Sequence, residues 1–283
     1  MELPLTQPMA RAGRVVWNTE PWKQRVSAWL PAMGYLLGSA LLLGSAWAIA
    51  SALSSGDLPG PIATLRVFWD LISSPFYDNG PNDKGIGLQL FASLKRVMLG
   101  FLLGSLAAIP LGVLMGTSHA FRRVLDPVVQ VLRPISPLAW FPVGLAALHS
   151  APSATVFIIF ITSLWPTVIN TAFGVGSIPD THKNVARVFH FSRWKYLTRV
   201  VIPFSMPHVL TGLRLSMGIA WLVIVAGEML SGNTGIGFFV WDSWNALSLP
   251  RVLSAVLAIG LVGLLLDQFF QYAVRRVTYK DAA

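Results

Sequence analysis

Few side chains in this sequence are placed to do chemistry. GxxxxGK[ST] occurs nowhere, so the chain lacks the phosphate-cradling loop needed to bind ATP. There is no cysteine, which removes disulfides, thiolate zinc sites, iron–sulfur clusters and cysteine nucleophiles together. The histidines, His119, His149, His182, His190 and His208, contain no HExxH-type pair, and no metal site is expected. Neither a Ser/His/Asp order nor a carboxylate pair with a credible pocket emerges. What remains are Arg133, Arg214, Glu228 and Asp267, charged residues in or beside apolar stretches, and a basic, aromatic segment at 181–203. A charge in hydrocarbon is expensive, so each of the former is a functional candidate. Arg214 either meets a negative group or extends to the interface. Glu228 suits a buried donor, while Asp267 suits pairing with one of the cations or a place at a contact surface.

The elements that must hold these residues are membrane helices. Hydrophobic residues make up 54% and charged residues 12%, against about 25% charged in a soluble domain. A bilayer takes about 20 apolar residues as helix. Residues 33–53, 97–116 and 154–175 carry no charge, and 208–230 and 252–273 are nearly free of it. A sixth span, 124–148, is interrupted by Asp126, Arg133 and prolines 127, 134, 137 and 142. The chain therefore reads as an all-α membrane protein with six transmembrane helices. Pro134, Pro137 and Pro142, around Trp140, do not fit one unbroken helix. Non-helical backbone at that depth is tolerated where protein buries it or where it lines a watery cavity, so the segment is a pathway wall or a packing kink. Gly34/Gly38, Gly100/Gly104 and Gly112/Gly116 recur at the spacing that lets helices approach closely.

The first apolar run begins after some thirty polar residues, too late for a cleavable signal, and is expected to remain as an anchor. With the N-terminus in the cytoplasm, all Lys and Arg but Arg66, Lys84, Lys95, Arg96 and Arg251 fall on that side, as the positive-inside rule requires. The net charge of +9 is then topological rather than a nucleic-acid footprint. The expected layout is a cytoplasmic tail at 1–30, a first helix at 31–53, and an outer segment at 54–88 with an interfacial helix near 65–72 anchored by Phe68 and Trp69. A transmembrane domain at 89–274 and a cytoplasmic C-terminal tail at 275–283 follow.

The longest cytoplasmic connection reads SIPDTHKNVARVFHFSRWKYLTRVVIPFSMP. Asp180 or Thr181 caps a helix with Val185, Val188 and Phe189 on one face, and Ser192 caps a second with Trp194, Leu197 and Val201, which Pro203 stops. Val188, Phe189, Phe191 and Trp194 beside Lys183, Arg187 and Arg193 make an exposed apolar patch with a basic rim. That composition suits a partner site or an amphipathic corner on lipid headgroups.

The same loop resembles the one in membrane subunits of ABC importers, which reads Glu-Ala-Ala, three residues, Gly, nine residues, Ile, one residue, Leu-Pro. Here Asn184-Val185-Ala186, His190, Val200 and Ile202-Pro203 occupy that spacing, with Asn184 and His190 in place of Glu and Gly. LPGP at 58–61, SLKRV at 93–97, LDP at 125–127, LRPISPLAWFP at 132–142, LTGLRL at 210–215 and VAGEML at 225–230 look like the branch importing nitrate, bicarbonate, cyanate, taurine and alkanesulfonates. NGPNDKGIGLQL at 79–90, FITSLWPTVINT at 160–171 and GFFVWDSWN at 237–245 look most like nitrate permeases.

The resemblance implies a type I ABC importer permease, a five-helix core plus an N-terminal helix, in the bacterial inner membrane. It implies a second permease copy, two cytoplasmic ATPase subunits docked on 181–203, and a periplasmic solute-binding protein delivering a small anion. It also implies no cofactor in this chain, with ATP and Mg²⁺ held by the ATPases, whose groove must suit Asn184 and His190. Pro134, Pro137, Trp140, Pro142, Arg214 and Glu228 are the pathway candidates, and Gly232 to Trp244 the expected binding-protein contacts. A secondary transporter would also show broken helices but commonly has more spans and inverted repeats. A membrane scaffold would explain the loop but not the broken span.

Overall fold

The computed structural model describes residues 21–54, 56–80 and 83–277. Its helices are α1 (Pro21–Leu53), α2 (Pro61–Ser73), α3 (Ile86–Thr117), α4 (His119–Leu132), α5 (Phe141–Leu148), α6 (Ala151–Gly176), α7 (Asp180–Val188), α8 (Arg193–Tyr196), α9 (Ile202–Ser231), α10 (Ile236–Asn245) and α11 (Leu249–Val277). A 3-10 turn, Pro137–Trp140, leads into α5, and a π turn, Leu197–Val201, joins α8 to α9. Contacts divide the chain into two compact units, Met1–Pro61 and Ile62–Ala283. In the first, the turn after α1 is held by Trp47 Nε1 donating to the Pro59 carbonyl (3.1 Å) and Ser51 Oγ to that of Leu58 (2.7 Å).

The second unit is built on three long helices that touch through small residues. Lipid offers no hydrophobic drive for helix association, so close backbone contact and interhelical hydrogen bonds must supply it. On α3, Gly100, Gly104, Ala108, Gly112 and Gly116 form a stripe at four-residue spacing. A Cβ at Gly100 would lie 2.7 Å from Ile159, one at Gly104 2.7 Å from the Phe160 carbonyl, and one at Gly112 2.5 Å from Thr171. The helices therefore meet backbone to backbone. On its other side α6 receives Gly212 and Gly227 of α9. Between those glycines, Ser216 Oγ donates to the Ser163 carbonyl (2.7 Å), so the Thr167 hydroxyl, 2.7 Å away, must donate to Ser216. Gly34 and Gly38 have no described residue within 4 Å.

At the end of the bundle formed by the start of α3 and the end of α9, a buried polar knot closes the structure. Glu228 is fully buried. Its carboxylate accepts from Ser93 Oγ (2.7 Å), from Arg96 Nη1 (2.7 Å) and from the Gly237 amide (3.0 Å). Ser93 Oγ also accepts from the Ile236 amide (2.8 Å), and Gln89 Oε1 from that of Gly235 (2.6 Å). Three successive amides at the start of α10 are thus satisfied by side chains of α3 and α9, with an anion at the positive end of the helix. Gly235, at φ 140°, allows the turn, since a Cβ there would run into the Glu228 carboxylate. Arg96 completes the knot by donating to the Thr234 carbonyl and, at 3.1 Å, to its hydroxyl. In the connection before α3, the Lys84 ammonium, 3.1 Å from Asp78, holds that carboxyl below the usual carboxylate range by hydrogen bonding.

Residues 124–148 are broken as expected: α4 and the Pro137–Leu148 pair are bent 94° apart, because the prolines at 134 and 137 remove the donors that would have bridged them. Pro203, by contrast, does not end a helix. It stands in the first turn of α9, directly after the π turn, whose wider winding carries the chain into a residue unable to donate. Four segments have the length and hydropathy to cross a membrane, Ile86–Thr117, Ala151–Gly176, Arg193–Ser231 and Leu249–Val277, and the bent pair makes a fifth. The expected first span falls in α1, whose described apolar stretch is Leu37–Leu53.

Glu228→Gln would present an N–H₂ group to donors that need an acceptor and leave Arg96 without its counter-ion. Its expected cost is roughly 3 kcal/mol or more. A fall in the detergent melting temperature larger than that of Ser93→Ala, with a lower yield of folded protein, is the outcome to look for.

Candidate functional site

The 181–203 segment protrudes from the end where α3, α6 and α9 converge. Ala186 of α7 is buried, while Val185, Val188 and Phe189 are exposed. Asp180 lies in the first turn after Pro179 rather than capping it by its side chain, and pairs with Lys183 (3.1 Å). Asn184 Oδ1 accepts from Arg187 (3.3 Å). The helix then ends by a defined device: the Phe191 amide donates back to the Ala186 carbonyl (2.9 Å) and the His190 amide to that of Arg187 (3.0 Å). This nested pair needs a left-handed residue between helix and exit, and His190 fills it with φ 47°. The four-residue separation of Ala186 and His190 is therefore the separation of the accepting carbonyl from the left-handed position. Glycine meets that conformation without strain, and His190 is the departure noted in the sequence.

Beyond this corner, Ser192 Oγ caps α8 by accepting from the Lys195 amide (3.2 Å), as expected. Lys195 Nζ sits 4.4 Å over the Phe191 ring, so Phe191 is half-covered, whereas Trp194 is 73% exposed. The exposed face accordingly joins Val185, Val188, Phe189 and Trp194, with Lys183, Arg187, Arg193 and Arg199 around it. Val201 is fully buried against Val175 and Ile178, with Val113, Tyr196 and Phe204 packed around them. An apolar face held this firmly from beneath is suited to transmit force.

The other sequence-named residues scatter. Pro134 is exposed in the break between α4 and α5, and Pro137 lines a cavity there with Arg133, Trp165, Asn170, Leu215 and Ile219. The Trp140 indole N–H is buried with no hydrogen-bond partner among the described residues, and Pro142 lies exposed in the first turn of α5. Arg214 makes a two-pronged pair with Asp267 of α11 (2.6 and 2.8 Å). Glu228 lies in the knot described above. Sequence reasoning missed Ser93 and Arg96 as its partners, and Gln89 as the acceptor for Gly235 beside it. The pattern SLKRV contains two of them, but nothing in it says that the cation turns inward. Among the described residues no group of three His, Asp or Glu side chains gathers as for a metal ion.

His190→Gly is expected to relieve the left-handed strain and stabilise the corner by up to about 1 kcal/mol, and His190→Val to destabilise it by about as much or more. Slowed hydrogen exchange at the Phe191 amide in the glycine variant would register the gain.

The family described as "binding-protein-dependent transport system inner membrane component" matches residues 100–279. The nitrate import permease NrtB of Synechocystis sp. is 45% identical over 226 residues, covering 80% of this chain and 82% of that protein. The bicarbonate transport permease CmpB of Synechococcus elongatus is 42% identical over 257 residues, covering 90% and 91%. Among solved structures, the methionine ABC transporter MetNI, in an inward-facing form, matches with a TM-score of 0.58 at 14% identity, covering 67% of this chain and 94% of the compared chain. An amino acid ABC transporter matches at 0.57 and 15%, covering 76% and 97%. These two support the fold alone. With that family matched across most of the bundle, the chain belongs to the binding-protein-dependent inner-membrane transport components: it is an integral permease subunit of an ABC importer, itself non-catalytic, working with a separate ATPase and a binding protein.

Proposed function

We propose that this permease carries a small inorganic oxyanion, nitrate or nitrite, into the cell. The observation that carries the transport reading is the apolar, basic-rimmed face of α7 and α8, anchored to the ends of α3 and α6 and continuous with α9. Nitrate is favoured because the chain is 45–46% identical to nitrate import permeases over roughly four-fifths of its length. Bicarbonate is the second reading, since bicarbonate permeases are 42% identical over 90% of the chain.

In this reading two copies surround one pathway, and two ATPases, which hold ATP and Mg²⁺, grip Val185, Val188, Phe189 and Trp194. This chain contributes no cofactor. The basic 181–203 segment, the N-terminal tail at 1–30 and the C-terminal tail at 275–283 face the cytoplasm, in keeping with the charge bias of the sequence. The binding protein docks at the opposite mouth, on the connection and helix from Gly232 to Trp244, where Trp241 and Trp244 are exposed. ATP binding draws the α7–α8 corners together and switches the bundle from inward to outward opening.

Uptake of ¹⁵N-nitrate into vesicles containing the full complex, with nitrite, bicarbonate, cyanate and taurine as competitors, tests the substrate. Strong competition by nitrite alone is expected, and suppression by bicarbonate would favour the second reading. Phe189→Asp is expected to lower ATP-driven uptake by at least about ten-fold, since it buries a charge at an apolar contact. Membrane insertion should be unchanged, and uptake retained at the wild-type rate would remove the loop from the coupling role.

A further inference from the structure

Two cations of the long helices are neutralised by a carboxylate from another helix. Arg96 meets Glu228, and Arg214 meets Asp267. Arg133, at the break between α4 and the 3-10 turn, has no ion pair or hydrogen bond from its side chain among the described residues. The nearest acid along α4, Asp126, is engaged by Arg122 (3.4 Å).

Arg133 lines a cavity of about 410 Å³. Its other walls come from two long helices: Thr162, Trp165 and Asn170 of α6, and Leu215 and Ile219 of α9. Leu215 and Ile219 are each roughly 20 Å along the helix from the nearer end of α9, so the cavity opens at mid-depth of the bundle. An uncompensated cation at that depth is costly unless a counter-ion visits it. Asn170 spends one amide hydrogen on the Pro166 carbonyl (2.8 Å), and its other hydrogen and its oxygen make no further hydrogen bond among the described residues. Thr162 Oγ donates to the Ile158 carbonyl (2.6 Å) and retains only acceptor capacity. Free donors in the cavity therefore come from Arg133, one Asn170 hydrogen and the Trp165 indole, and no acidic side chain lines it.

We propose that Arg133 is the residue that receives the anion at mid-membrane during translocation, its guanidinium fork holding two oxygens of a planar trigonal oxyanion with Asn170 alongside. This rests on the anion-importer reading above. The fork matches such an anion by shape as well as charge, which an ammonium would not. One unreinforced cation also gives weak retention, so that the ion leaves as readily as it enters.

The absence of native cysteine makes the test clean within this chain. Wild-type ¹⁵N-nitrate uptake in the reconstituted complex is measured first. If the wild type moves no nitrate, the substrate reading fails on its own and the proposal falls with it. Given uptake, Arg133→Cys should lower it by about ten-fold or more, the size expected for loss of a charged hydrogen-bond donor. Binding-protein-stimulated ATP hydrolysis should persist. Treating Arg133→Cys with a cationic methanethiosulfonate should restore a substantial part of the uptake, and an anionic one should not, with the treated wild-type complex as control for thiols on other subunits. Arg133→Lys should fall between the two. Undiminished uptake by Arg133→Cys, equal effects of both reagents, or failure of the thiol to react with either would overturn the proposal. So would loss of stimulated ATP hydrolysis in both Arg133→Cys and Arg133→Lys, which would mark Arg133 as a structural counter-ion.

Discussion

The seam between α3, α6 and α9 is the constraint on which everything else in this subunit depends. Side chains as apolar as the surrounding lipid gain nothing by leaving it, so the bundle holds by backbone proximity and a few interhelical hydrogen bonds. Gly100, Gly104, Gly112 and Gly116 bring α3 so near α6 that added methyl groups would collide with its backbone or β-carbons. Ser216 and Thr167 then tie α6 to α9 at mid-depth. A seam this tight behaves as one body, which leaves the bent pair of α4 and α5 as the segment that departs from it and opens the cavity at Arg133.

The distribution of charge follows from the same medium. Two of the cations along the long helices meet carboxylates supplied by a different helix, Arg96 with Glu228 and Arg214 with Asp267, so each pair also cross-links the bundle. The first is shielded from solvent and organises the start of α10. The second is half-exposed and sits on the outer face of α9 and α11. Neither is free to attract an anion, and this separates the structural cations from Arg133.

Much of this architecture was legible in the sequence, for reasons that are physical. Uninterrupted apolar runs identify spans because nothing else buries that much hydrocarbon, and the glycine spacing on α3 pointed to a packed face. The glycines at 34 and 38 have the same spacing with no described residue beside them, since spacing states what a helix permits and not what approaches it. Pro203 was misread as a stop because the wide π turn that accommodates it has no composition of its own. The pairing of Arg96 with Glu228 joins residues 132 apart in sequence, and no local pattern conveys such a meeting. In the coupling corner, the replacement of glycine by His190 was visible, but its meaning, a left-handed residue closing a helix, needed the backbone.

The π turn that lets Pro203 pass makes α8, the turn and α9 a single 39-residue rod. At about 1.5 Å per residue it is roughly 58 Å long, more than the thickness of a hydrocarbon core. Trp194 stands near one end and Glu228, holding the start of α10, near the other. If it moves as one piece it acts as a seesaw: a tilt imposed at Trp194 is felt with opposite sense at Glu228, about whatever point of the seam serves as fulcrum. Opening one mouth and closing the other then require no relay of small side-chain shifts, because the two events are opposite ends of one displacement.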